Sequence, residues 1–283
     1  MEIYQKQYIG ADEIPFALNE AFSLFNSTFD TNYSLSNVKV SFFTFQTFPK
    51  MFHDFCEADF PSWLAEDYTN PSFYRDTQAM ALVEEDKAGI LINISVAFSY
   101  WEWVKALLHE LAHIYATQKE YNGKSFYTQC CSNNDLCAEE DMLYIGYTVW
   151  KEFIAEYLVI FAMPTPPISL YRYRGEIKRF DLMIKDLKPD SLSAMSLILV
   201  AVFTSKEHLT TRSKENFLEI LKEKHVLNMD EYHHLIHLII DHIRNDQFEP
   251  QIITDDFIDE LGSMIRKIVV ERAIRKLSQS PIS

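Results

Sequence analysis

A run of five residues, His109 to His113, is the most informative motif in the sequence. It reads His-Glu-Leu-Ala-His, so two histidines stand four positions apart and a glutamate follows the first. On a helix, residues i and i+4 lie on one face, which allows both imidazoles to reach one metal ion. Glu110 would then lie close enough to take a proton from a metal-bound water, whose pKa zinc lowers to about 7. The motif predicts zinc as cofactor, His109 and His113 as ligands, and Glu110 as catalytic base.

The competing interpretation is an ordinary helix whose two histidines are solvated or satisfied in the core. The surroundings of the motif favour a metal site. A helix predicted over 101–117 follows directly on a strand predicted over 90–94. Small residues flank the histidine-bearing face and leave space for another element: Ala106, Ala112 and Ala116.

A catalytic zinc needs a third protein ligand. Two carboxylates, Glu152 and Glu156, stand four residues apart in a helical segment predicted over 138–163. Like charges on one helical face repel, and acids that interrupt an apolar stripe need a partner for their charge. A metal with its histidines would provide that partner. The residues alone leave both acids as candidates, and the alternative is a partly exposed face of an amphipathic helix.

This combination resembles the gluzincin metallopeptidases, whose His-Glu-x-x-His helix is followed by a second helix with a glutamate ligand. The strand over 90–94 and the pattern E-x-x-A-E shortly before Met163-Pro164 are also similar to the ImmA/IrrE-type intracellular metallopeptidases. The resemblance covers residues 79–164. It implies that Glu152 is the third zinc ligand and that Glu156, which stands where the pattern has Asn or Asp, hydrogen-bonds a ligand histidine.

The composition excludes several classes of function. The 283 residues include 26 Lys+Arg and 41 Asp+Glu, a net charge of −15. That balance argues against a nucleic-acid partner, because phosphate binding depends on clustered cations. The six glycines form neither a dinucleotide-binding nor a P-loop motif.

No membrane partner is expected either. The start of the chain does not have the pattern of a signal peptide, and the longest apolar run, near 194–203, is far shorter than the ~20 residues of a membrane span. The four cysteines are few for the length, as in proteins with reduced thiols. A cytoplasmic location is predicted.

The periodicity predicts an α+β fold with a small, mainly antiparallel sheet. Residues 1–164 would form a zincin-like metallopeptidase domain, and the proline cluster at 164–167 would separate it from an all-helical domain over 168–283. The further predicted elements are a helix at 16–25, strands at 38–45, 79–83 and 90–94, the last two joined by a polar turn, and a helix capped by Thr254.

The function predicted is a zinc-dependent peptidase that hydrolyses peptide bonds in a peptide or protein substrate. The peptide would lie against the strand at 90–94, as extended ligands add to sheet edges. The alternative is a regulatory or binding protein that retains the zinc site and engages one specific protein partner. A second histidine-rich stretch, His233 to His242, is interpreted as an amphipathic helix.

Overall fold

The computed structural model describes residues 9–65, 77–121, 138–163, 234, 238 and 253–279. Within these ranges the fold is α+β, with five α-helices, one 3₁₀ helix and a three-stranded sheet. The α-helices are α1 (Ile14–Phe29), α2 (Phe48–Asp59), α3 (Tyr100–Gln118), α4 (Ala138–Ala162) and α5 (Asp255–Gln279). The strands are β1 (Val38–Phe43), β2 (Ala79–Glu84) and β3 (Lys87–Asn93), and the 3₁₀ helix spans Pro61–Ala65.

Among the described helices, none combines the length and the apolar character needed to cross a bilayer.

The sheet is mixed, which corrects the prediction of a mainly antiparallel one. Its order is β1-β3-β2, with β2 antiparallel to β3 and β1 parallel to β3. The two-residue turn between β2 and β3 permits only an antiparallel pair. By contrast, β1 and β3 are separated by a long connection that includes α2, and a crossover of that length allows parallel pairing.

Because β3 lies between two partners, the expectation that a peptide lies against residues 90–94 is wrong. Ile90 pairs with Val40 on one side and with Ala81 on the other. A ladder on both sides occupies the backbone groups of β3, so no further strand has a place beside it. In the described part of the chain, β2 is an edge strand instead, and it packs against α3.

The sequence prediction missed α2, although its signal is present. Apolar residues recur at positions 48, 51, 52, 55 and 56, which is the spacing of one helical face. Pro49 stands in the first turn, where its missing N–H costs nothing. The buried face of α2 packs in an aromatic cluster with the sheet, formed by Phe43, Phe48, Phe52, Phe55, Phe60, Met80, Leu82 and Leu91.

The other predicted elements that fall within the described ranges are confirmed within a few residues of their bounds. The helix predicted at 16–25 is the longer α1, and the helix predicted at 101–117 is α3. The N-cap predicted for the last helix is also present, since the Phe257 N–H donates to the Thr254 hydroxyl oxygen over 3.3 Å. That bond satisfies one of the donors that the helix start leaves unpaired.

The chain divides into two compact units. One contains the sheet with α1, α2 and α3, and the last turn of α4. In the other, α5 packs on the earlier part of α4, where the rings of Trp150 and Phe257 meet edge to face at 4.9 Å. The predicted domains, 1–164 and 168–283, stay a prediction, since most of the second lies outside the described residues.

Candidate metal centre

Helix α3 carries the His-Glu-x-x-His motif, and its first residue is fixed by a cap. The backbone N–H and the hydroxyl of Ser99 donate to Glu102 Oε2 over 2.9 and 2.8 Å. One face of α3 is fully buried and includes Val104, Leu107 and Leu111. The cap and this apolar face together set the rotation of α3, so the partly buried histidine face points away from the core.

The two histidine rings meet at their Nε2 atoms. His109 Nε2 and His113 Nε2 lie 2.9 Å apart, and the rings are perpendicular with centroids 4.5 Å apart. Two neutral imidazoles at this distance satisfy the geometry of a hydrogen bond. A tetrahedral zinc with Zn–N bonds of about 2.0–2.1 Å places two such nitrogens about 3.3 Å apart. The two Nε2 atoms would therefore need to move apart by only about 0.4 Å to bind the ion.

Glu152 of α4 completes a group of three possible ligands. His109, His113 and Glu152 each offer one ligand atom, and these atoms lie within 4.8 Å of one another. Two imidazole nitrogens and one carboxylate oxygen are a donor set that zinc takes in catalytic sites. The chain thus has a His/His/Glu group that could hold a metal ion.

Lys151 lies beside the candidate carboxylate ligand. Its ammonium nitrogen is 3.7 Å from Glu152 Oε1, and the Lys151 side chain is 34% exposed. A partly exposed ion pair of this kind contributes at most about 1 kcal/mol. The free energy of zinc binding in structural sites is roughly ten times larger. Lys151 would therefore compete only weakly with a zinc ion for the Glu152 carboxylate.

Glu110 is bonded to β2, at one edge of the described sheet. Its side chain is 8% exposed, and among the described residues it is the one charged side chain that is buried. The Ala81 backbone N–H of β2 donates to Glu110 Oε2 over 2.7 Å. A buried carboxylate needs such a donor, because desolvation otherwise disfavours its charge. The bond fixes Glu110 between the histidine-bearing helix and the edge strand.

Glu156 lies one helical turn after Glu152 and is partly buried. It does not belong to the group of ligand atoms that lie within 4.8 Å of one another. Its expected contact with a ligand histidine stays a prediction.

Sequence reasoning missed the role of β2 in this site. The contact with Glu110 is made by a main-chain N–H, which every residue except proline has. The residue type at this position therefore does not predict the contact. Only the pairing order, which places β2 at an edge of the described sheet, could have pointed to Ala81. Most of the histidine-rich stretch 233–242 lies outside the described residues, and the His234 side chain is exposed. Cys130, Cys131 and Cys137 also lie outside them.

Three comparisons with known proteins returned no significant match: no family model, no curated protein and no solved structure resembles the chain.

Proposed function

We propose that the protein is a zinc-dependent peptidase. The observation that carries the proposal is that the possible ligand atoms of His109, His113 and Glu152 lie within 4.8 Å of one another, and that the buried carboxylate of Glu110 follows His109 on α3. These residues fit zinc in number, in donor type and in the spacing of the two imidazole nitrogens. In the proposed site, His109, His113 and Glu152 hold the ion and Glu156 orients a ligand histidine.

When bound, zinc would act as a Lewis acid that polarises the scissile carbonyl. It would also lower the pKa of a bound water to about 7. Glu110 takes a proton from the attacking water and later gives it to the leaving amine, so that one C–N bond breaks and a carboxylic acid and an amine form. Ala81 donates to one oxygen of Glu110 and so leaves the other oxygen for this transfer.

We further propose that the peptide lies in extended form along β2, which is one of the two edge strands of the described sheet. Edge strands offer a row of main-chain donors and acceptors to an extended ligand. The bond from Ala81 places Glu110 at this edge. The catalytic base and the main chain of the substrate would thus meet at one point of the strand.

The first test is the zinc content of the purified protein and of two matched variants, measured by mass spectrometry of the metal. We expect one zinc per chain in the wild type and in Glu156→Ala, and loss of zinc in Glu152→Ala. Each variant removes one glutamate carboxylate, and the two glutamates lie one turn apart on the same helix. Stoichiometric zinc in Glu152→Ala would reject it as a ligand.

The second test separates the base from the ligands. Glu110→Gln keeps the size and a carbonyl acceptor for the Ala81 N–H, but it cannot take a proton. We expect unchanged zinc content and a loss of peptide hydrolysis of about 10²–10⁴-fold, the usual contribution of a positioned base. Hydrolysis that survives this substitution would refute the proposed chemistry. A wild type that holds zinc, cleaves no member of a broad peptide library and captures one protein tightly would instead support a binding protein.

A further inference from the structure

The first turns of α1 and α3 carry an exposed aromatic patch, formed by Phe16, Tyr100 and Trp101. Phe16 is 66% exposed and Trp101 is 49% exposed. The Tyr100 hydroxyl donates to the Phe16 carbonyl oxygen over 3.5 Å, and the rings of Tyr100 and Trp101 meet edge to face at 5.6 Å. Two helix starts that are far apart in the chain thus form one surface.

Phe16 and Trp101 face away from the core. Leu18 and Trp103, two positions later and so on the opposite sides of the same helices, are buried. The fold therefore does not need the two exposed rings for its own packing. Single exposed apolar side chains are common, but contiguous ones mark interaction sites. Tryptophan and tyrosine are also enriched among the residues that contribute most to binding at interfaces.

The charges around the aromatic patch are mostly negative. Four carboxylates lie within four positions of Phe16 or Trp101 in the sequence: Asp12, Glu13, Glu20 and Glu102. The single ammonium group in the same two stretches is that of Lys105, which is partly buried. The positive ends of the two helix dipoles amount to only about half a charge each. The aromatic patch therefore lies in a region of negative potential.

Glu20 is the carboxylate whose charge reaches the aromatic patch itself. It follows Phe16 by one turn on α1. Burial and, after it, the charge of Glu20 raise the pKa of Tyr100, so the phenol is neutral at pH 7. A neutral phenol and an indole present electron-rich faces that attract cations, and the planar guanidinium of arginine stacks on such faces.

From this arrangement we infer that the aromatic patch binds a basic segment of a partner protein, with an arginine stacked on Tyr100 and Trp101. The surrounding carboxylates oppose an anionic membrane surface, and the net charge of −15 opposes a second copy of the chain. The inference goes beyond the proposed function and does not depend on it. Trp101 precedes His109 by eight residues, roughly 12 Å along the axis of α3.

The experiment measures the binding of a labelled peptide to the full chain by fluorescence anisotropy. The probe alternates glycine and arginine, and in the control peptide every arginine is replaced by citrulline, which has a similar shape and no charge. Every protein sample carries Glu110→Gln, so that the proposed peptidase activity does not consume the probe. We expect the arginine probe to bind at least roughly tenfold more tightly than the control peptide, and the difference to shrink at high salt. Equal affinity for the two peptides would overturn the inference.

Variants locate the binding surface. Trp101→Ala should weaken binding of the arginine probe about tenfold, the loss of one desolvated cation–π contact, and Phe42→Ala, which removes an exposed ring from β1, should change nothing. Glu20→Gln removes one charge and keeps the size of the side chain, so it should weaken binding about threefold. Glu85→Gln, the same change at an exposed turn residue, is its control. An affinity that both Trp101→Ala and Glu20→Gln leave unchanged would also overturn the inference.

Two other occupants give different results. A dimer in sedimentation experiments that Trp101→Ala dissociates would show that a second copy covers the aromatic patch. Binding to vesicles of phosphatidylserine that Trp101→Ala abolishes would show a membrane contact. Either result would overturn the inference. A protein without zinc or without peptidase activity would instead reject the proposed function and leave the inference intact.

Discussion

The substitution Gly146→Ala tests the contact between α4, which carries Glu152, and α5. A Cβ atom at position 146 would meet the carbonyl oxygen of Ile258 directly and would lie 2.9 Å from the Gly262 nitrogen. The Ile258 carbonyl carbon would be 3.0 Å away. These are backbone atoms of α5, so no side-chain rotation relieves the contact. The two helices must separate to accept a methyl group.

The magnitude follows from two opposing effects. Ordinary contacts of carbon with a heavy atom begin at about 3.5 Å, and the Cβ would lie far inside that distance from the Ile258 oxygen, so the helices must move apart by more than ~1 Å. Overpacking costs typically about 1–3 kcal/mol, and a rigid backbone neighbour places this case near the upper end. The replacement of glycine by alanine inside a helix stabilises the helix by about 1 kcal/mol, because alanine has the higher helix propensity. We therefore expect a net loss of about 2 kcal/mol in the free energy of unfolding.

Thermal melts followed by circular dichroism check this value. In large domains, 1 kcal/mol corresponds to roughly 2–4 °C, so Tm should fall by about 4–8 °C. Thr148→Ala, two residues further along α4 at a partly buried position, is the control and should leave Tm unchanged or slightly higher, because alanine favours the helix. A Gly146→Ala variant as stable as the wild type would refute the close approach of α4 and α5.

Three further predictions concern the sheet and its neighbours. Gly89→Ala would place a Cβ 2.8 Å from the ring of Phe55, so we expect a loss of about 1–3 kcal/mol by urea denaturation. Lysine hydrogen bonds hold the pKa of Asp59 below its usual range, so its stabilising effect is present at neutral pH and is lost as pH falls through that lowered pKa. Asp59→Asn should accordingly lower Tm at pH 7 but not at pH 2. Burial raises the pKa of the Cys56 thiol to about 12, so iodoacetamide at pH 8 should label Cys56, located by peptide mass spectrometry, only after denaturation.

Much of the candidate site could be predicted from local sequence. The four-residue spacing of His109 and His113 fixes their common face as soon as the segment is helical. The apolar periodicity predicted both α3 and α4 close to their observed bounds. For α2 the same signal was present and was overlooked, since its apolar spacing and its early proline are typical of a helix start.

Strand pairing could not be predicted in the same way. A run such as Ile90 to Asn93 shows that a strand forms, but it does not show which strands lie beside it. The order β1-β3-β2 depends on the crossover through α2 and on which strand faces are buried, and both involve residues far apart in the chain. The peptide was therefore expected along β3, although β3 is the central strand of the described sheet.

The sequence alone determined the residue types of the candidate ligands and their spacing along each helix, because these depend on helical periodicity and side-chain chemistry. Only the tertiary structure decided which strand flanks the motif, what holds Glu110 and what bonds the carbonyl of Val83. Glu110 is held by the N–H of Ala81, and the Val83 carbonyl is bonded by Trp63. Every residue carries these main-chain groups, so the fold alone selects the ones that become part of a site.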